Sequence, residues 1–344
     1  MKDSNYWRRR SEELEKTLNG KGEEYFLALE KDYEKAASAT LKEIERLYWR
    51  LAKNNVISLA EARKLLNASE LDEFKWDIYA YAAFAKENTQ DGVWTKELEK
   101  LSLRHKITRL EAMRVAMQNQ VEALMWKEAE IVSEAMEEVY LLGYYGNAHI
   151  LQTGTGTGFA ISVLAADVID KVLRRPWVSD GLTFKSRILD IHRLALTNDL
   201  NKTLTQSLIR GLSPDKAVKE LGKRFDVAKN QAKRLMTTET TYFGTKAALD
   251  CYADLGIDEV EFVSVLDNRT SEICRFMDGT VLKRSEVEIG INAPPLHTNC
   301  RSSLSPYLPD RKTFRRAEDK DGTVYYVPSD MKYYEWYDKF VKEK

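Results

Sequence analysis

Cys274, His297 and Cys300 are the clearest set of side chains in this sequence able to do chemistry. His297 and Cys300 stand three apart, a spacing at which imidazole and thiolate reach one ion, and that donor set suits zinc. A closed zinc site takes four ligands. The position three before Cys274 is Ser271, a poor ligand, and Cys251 or Asp267 supplies a fourth only if the fold brings it there. The same residues admit an enzyme reading, with Cys300 as nucleophile and His297 as its base. Both lie on one short loop, however, and no neighbouring acid or amide is placed to orient the imidazole. The third reading is structural and is the one favoured. Cys274 and Cys300 are then small buried apolar groups, His297 bonds loop carbonyls, and Arg301 pairs with Asp267 or Asp278 to pin the loops.

A second set of candidates is electrostatic. Residues 151–250 carry 16 basic and 10 acidic side chains, against 23 and 27 in residues 1–150 and 14 and 17 in residues 251–344. Only the middle third therefore favours an anionic partner. Arg174, Arg175, Lys185 and Arg187 precede a run of Lys216, Lys219, Lys223, Arg224, Lys229, Lys233 and Arg234, whose first three share a helix face. Phosphate contacts from these residues imply non-specific, salt-sensitive binding of double-stranded DNA. A solvated helical surface is the alternative. No helix-turn-helix, zinc-finger or aromatic RNA-binding signature offers base readout. The glycines of QTGTGTGF, Gln152 to Phe159, lack the Lys-Ser/Thr of a P-loop and the flanking strands of a dinucleotide site, so the segment reads as a hinge.

The elements that must position these groups are mostly helices. From Glu23 to Lys53 the apolar residues Phe26, Leu29, Tyr33, Ala36, Ala37, Leu41, Ile44, Leu47, Tyr48 and Leu51 form one helical stripe. Ser58 and Ser69 stand where N-caps belong, with Glu61 and Asp72 three positions on. A second long helix is predicted from about Ile107 to Gly143. The middle region continues in helices: one ends at Arg175-Pro176-Trp177, one runs from about Phe184 to Arg210, and one opens at Ser213-Pro214. Glu239, among threonines, reads as a buried hydrogen-bonding centre. After Gly256 the period changes: Val260 to Val265 is a strand, MDGTVL a turn with a short strand, and APPLHTNCRSSLSPYL a proline-stiffened loop entering a strand. The tail holds another Asp-Gly turn and an aromatic helix.

The expected fold is mainly α, with long N-terminal helices and a helical middle region followed by a small irregular α+β C-terminal domain. The regions are a long-helix arm or bundle (1–150), a net-basic helical middle (151–256), a Cys/His motif domain (257–310), and a turn with a C-terminal helix (311–344). With 344 residues, 43% of them hydrophobic, and only 7 Pro and 16 Gly, the composition excludes collagen-like and Pro/Gly-rich disordered classes. Three cysteines make no disulfide framework, no apolar run reaches membrane-spanning length, and the N-terminus lacks a signal-peptide core. A soluble protein made in a reducing compartment is expected.

The string from Leu266 to Tyr307 resembles the signature of the tailed-phage minor head proteins, the Mu F-like head-morphogenesis family. The matching pieces are Asp267-Asn268-Arg269-Thr270, Cys274 with Asp278-Gly279, and Pro294-Pro295-Leu296-His297-Thr298-Asn299-Cys300-Arg301. Thr238-Glu239, the Arg175-Pro176-Trp177 turn and the TGTGTGF segment also follow the family's pattern. Many relatives carry cysteines where Ser271 and Ser302 or Ser303 stand, and these departures weaken the zinc reading. The resemblance implies a virion protein present in few copies inside the phage head, made in the host cytoplasm, and not membrane-bound during assembly. It implies association with the portal protein during procapsid assembly, contact with the packaged genome, and a part in its packaging or ejection; major capsid and scaffolding proteins are further partners. It implies no enzyme activity and no resident cofactor, with zinc the one candidate. The competing class is a metal- or cysteine-dependent virion enzyme, toxin- or nuclease-like, built on the Cys/His loop.

Overall fold

In the computed structural model, residues 4–53, 57–156, 158, 161, 163–178, 180–308, 314–318, 322–328 and 331–342 are described. The first helix, α1 (Ser4–Lys53), is 50 residues long and begins well before the predicted stripe. Trp7, Ser11, Glu15 and Leu18 are buried ahead of Phe26, so the stripe extends back through a charge-rich segment. Three shorter helices follow: α2 (Leu59–Ala62), α3 (Ala68–Asn88) and α4 (Val93–Ser102). Ser58 caps α2 as predicted, its hydroxyl accepting from the Glu61 N–H at 3.2 Å. Ser69 does not cap α3. Asn67 does, in a capping box with Glu70 whose two bonds are 3.0 and 2.9 Å.

The second long helix, α5 (Arg109–Thr155), runs twelve residues past the predicted end. Gln152–Thr155 is its last turn and not a hinge, while Thr157 and Phe159 lie outside the described residues. Glycine stands at 154 for space: a Cβ there would come within 2.2 Å of the Trp7 ring. After α6 (Ala166–Leu173), α7 (Phe184–Ser186) passes through a π-helical segment at Arg187–His192 into α8 (Arg193–Ile209). Pro214 opens α9 (Pro214–Asp254), the third long helix.

A three-stranded antiparallel sheet then forms from β1 (Glu259–Val263), β2 (Val281–Lys283) and β3 (Ser303–Pro306), with α10 (Glu272–Met277) between β1 and β2. β1 is central: Val260 pairs with Leu282 on one side and Pro306 on the other. A hairpin of β4 (Phe314–Glu318) and β5 (Val324–Pro328) and the short helix α11 (Tyr333–Tyr337) complete the order. The expected class, mainly α with a small α+β C-terminus, is the one observed.

The chain forms two compact units, neither contiguous in sequence. One contains Met1–Phe26, Val132–Thr183 and Lys233–Lys344; the other contains Leu27–Ile131 and Phe184–Ala232. α1, α5 and α9 each contribute residues to both. In the second unit, Phe74, Ile78, Trp94, Leu98 and Ile107 form a buried cluster. No described helix is long and apolar enough to cross a membrane.

Candidate functional site

All of the C-terminal motif residues belong to the unit that includes the start of α1 and the end of α9. The threonine-rich stretch of α9 grips the loop before β3. Thr241 donates to the Cys300 carbonyl at 2.6 Å, and the Thr238 hydroxyl accepts the Asn299 N–H at 3.2 Å. Asn299 takes a positive φ of 59°, a conformation asparagine tolerates better than most residues, and this turns the loop back onto α9. The loop carries a cis Pro294–Pro295 bond and buries Ala293 and both prolines. Ser271 is the N-cap of α10, accepting from the Cys274 N–H at 3.4 Å. Its hydroxyl is therefore committed to the helix that presents Cys274.

These elements bring the three predicted residues together. Cys274 Sγ lies 3.2 Å from His297 Nε2 and 3.7 Å from Cys300 Sγ. Both sulfurs are buried, and His297 is half-buried. His297 Nδ1 lies 2.7 Å from the Thr298 carbonyl. A carbonyl only accepts, so Nδ1 carries the proton and Nε2 turns its lone pair toward the sulfurs. Hydrogen bonding from Cys300 lowers the Cys274 thiol to about 6, against the opposing effect of burial. The same bond, with burial, pushes Cys300 upward. The nucleophile reading required the imidazole to serve Cys300. The imidazole is within hydrogen-bond reach of the Cys274 sulfur, and the two cysteines are buried, at 1% and 0% exposure.

The loop-pinning pair is Arg301 with Asp267, one of the two acids expected. The guanidinium donates to both carboxylate oxygens, at 2.7 and 2.9 Å. Arg269 is exposed and reaches Asp267 only at 3.5 Å, while the Thr270 hydroxyl bonds the same carboxylate at 3.1 Å. Asp278, buried, accepts the Ser264 N–H at 3.0 Å. Gly279 takes φ +70°, a backbone conformation that strains residues with a side chain. Tyr333 of α11 donates to the Asp267 carbonyl at 2.8 Å and lies under the Arg275 guanidinium at 4.9 Å.

The pair makes stability depend on acid. Burial alone raises the Asp267 carboxyl, but the Arg301 bonds and charge outweigh burial and hold it at about 2. The stability from this pair is present above the unfolded carboxylate range, about pH 4, and is lost as pH falls toward 2. Asp267→Asn lowers stability by about 1–3 kcal/mol at neutral pH and flattens that acid limb. Urea midpoints between pH 2 and 7 check both. An unchanged midpoint at pH 7 would remove the pinning role.

The basic residues are divided between the units. Arg174, Arg175, Lys233 and Arg234 fall in one; Lys185, Arg187, Lys216, Lys219, Lys223, Arg224 and Lys229 fall in the other. Lys216, Lys219 and Lys223 share an exposed face of α9, as their spacing predicts. Lys223 of that face pairs with Glu220 at 2.6 Å, and Arg174 with Asp170, Lys229 with Glu30, and Lys233 with Glu23 pair at 2.8, 3.1 and 3.0 Å. Arg224 donates to Thr203 at 3.0 Å, and Lys185 lies 5.5 Å from the Trp126 ring centre.

Glu239 is buried as predicted, and its partner comes from a loop. Trp177 Nε1 donates to Glu239 Oε2 at 3.0 Å, and the indole stacks on Tyr242 at 4.9 Å. The Arg175-Pro176-Trp177 turn and the Thr238-Glu239 pair thus meet through residues 62 positions apart. Two features escaped sequence reasoning. Arg8 of α1 forms a buried bidentate ion pair with Glu261 of β1. Glu15 is buried against Asn19, which donates to it at 3.0 Å, and burial, with the nearby Cys300, raises its carboxyl to about 8. A charge-rich helix start offered no signal for either.

The long α9 helix gripping a small sheet and its Pro-Pro-Leu-His-Thr-Asn-Cys-Arg loop is the portion that comparison recognises: residues 198–305 match the family described as Phage Mu protein F like protein. The resemblance read from the motifs is supported: the chain is similar to phage minor head proteins of the Mu F-like family. It is similar to the minor head protein GP7 of Bacillus phage SPP1, 25% identical over 250 residues, which cover 67% of this chain and 79% of that one. No solved structure matches it.

Proposed function

We propose that this chain is a structural component of the phage head that joins the procapsid at the portal and touches the packaged DNA through phosphate contacts. The observation that carries the reading is the similarity to a minor head protein along 79% of that protein's length, well beyond the motif loop. The buried sulfurs support a structural part for the Cys/His loop. Three long helices supply extended surfaces for docking to other head subunits, and exposed aromatics such as Trp76 at 77% and Tyr79 at 62% lie on α3. Lys216, Lys219 and Lys223 supply a lysine face for the DNA backbone.

Quantitative mass spectrometry of DNA-filled virions and of procapsids made with and without portal tests this placement. A few copies per particle, lost when portal is omitted, are expected. Equal incorporation without portal would refute portal docking. For DNA, affinity falls steeply with salt and ignores sequence. Charge reversal of Lys216, Lys219 and Lys223 reduces the slope of log K against log salt by about 3, roughly one for each phosphate no longer neutralised. An unchanged slope in fluorescence anisotropy titrations would place any DNA contact elsewhere.

A further inference from the structure

The three side chains of the α10–loop cluster have the mutual spacing of ligands on one tetrahedral ion. With zinc–sulfur bonds of about 2.3 Å and a zinc–nitrogen bond of about 2.0–2.1 Å, tetrahedral geometry sets two sulfurs about 3.8 Å apart and sulfur and nitrogen about 3.5 Å apart. The observed separations are 3.7 Å for the sulfurs and 3.2 Å for Cys274 Sγ and His297 Nε2. All three donor atoms lie within 4.8 Å of one another.

The surroundings are those of a held site. The Thr298 carbonyl fixes the imidazole with Nε2 inward, the outer-partner arrangement seen at metal-bound histidines. Thr241 fixes the backbone at Cys300, and the Ser271 cap fixes the turn of α10 that presents Cys274. Arg301 is bound to Asp267, so that carboxylate is engaged outside the set. We propose that Cys274, His297 and Cys300 bind one zinc ion through two thiolates and one imidazole, with the fourth position, on the side of half-exposed His297, taken by water. Soft sulfur ligands favour zinc over magnesium or calcium. The ion would tie α10 to the loop before β3, reinforcing the Arg301–Asp267 pair without creating a substrate pocket.

The test uses the full chain, stripped with a chelator under reducing conditions and then titrated with zinc and, separately, with cobalt. One zinc per chain and a thiolate-to-cobalt charge-transfer band are expected. Cys274→Ser, Cys300→Ser and His297→Ala each lose at least about 100-fold in zinc affinity, beyond the 10–100-fold typical of losing an outer partner. Cys251→Ser, which alters a buried cysteine of α9 outside the cluster, retains full binding. Circular dichroism checks folding, and His297→Ala, on a half-exposed loop position, remains decisive if a cysteine variant does not fold. Failure of the folded wild-type chain to bind zinc, or stoichiometric binding that survives His297→Ala, would overturn the site.

Discussion

Replacing Arg8 by methionine lowers the free energy of unfolding by about 3–5 kcal/mol, because the change strands the Glu261 carboxylate in the interior. Arg8 is 7% exposed and Glu261 is 3% exposed, and the guanidinium meets the carboxylate through two nitrogens. Glu261 lies on the central strand, paired on both sides, so it has no route to water short of opening the sheet. Much of the effect is desolvation of the orphaned acid and not the attraction of the pair. The double variant Arg8→Met with Glu261→Met therefore recovers most of the loss. Urea denaturation of the two single variants and the double one measures this. A loss under about 1 kcal/mol for Arg8→Met would mean that the carboxylate finds other partners.

Glu15→Gln has the opposite sign and depends on pH. Burial holds the Glu15 carboxyl near 8, whereas an unfolded chain releases that proton near 4.3. Its contribution is fully present below about pH 4 and is lost as pH rises toward 8. At pH 8 the glutamine variant, which carries no charge to bury, exceeds wild type by about 3–5 kcal/mol, since each pH unit between the two values is worth about 1.36 kcal/mol. At pH 4.5 the two unfold nearly together. Thermal melts across pH 4.5–9 should show wild type losing ground steadily while the variant does not. Parallel curves over that range would show that Glu15 is solvated.

The long helices were legible because a 3.6-residue stripe persists over many turns. Their ends were less so, since Trp7, Ser11, Glu15 and Leu18 mix apolar and polar types on one buried face. At α3 the local pattern held two solutions, Asn67 with Glu70 and Ser69 with Asp72, and the first forms, its Glu70 also accepting from the distant Arg109 at 3.0 and 2.9 Å. The cluster of Cys274, His297 and Cys300 was legible from residue type and spacing, and Arg301 found Asp267 as opposite charges on adjoining loops do. By contrast, Trp177 with Glu239 and Arg8 with Glu261 join residues 62 and 253 positions apart, and no local pattern announces such meetings. Glycine 154 misled for a related reason: its lack of a side chain serves Trp7, far away in the chain, and not local bending.

Three helices shared between two discontinuous units also set a timetable. Neither unit closes while its later segments are still on the ribosome, and Arg8 must wait for Glu261. At about 5–20 residues per second, the 253 intervening positions leave the start of α1 without its strand partner for roughly 10–50 s. During that interval the Arg8 guanidinium, beside Trp7 on the same helix, has no buried carboxylate to meet. Truncation before β1 would leave Arg8 permanently without that partner, so the C-terminal motif region completes the start of α1.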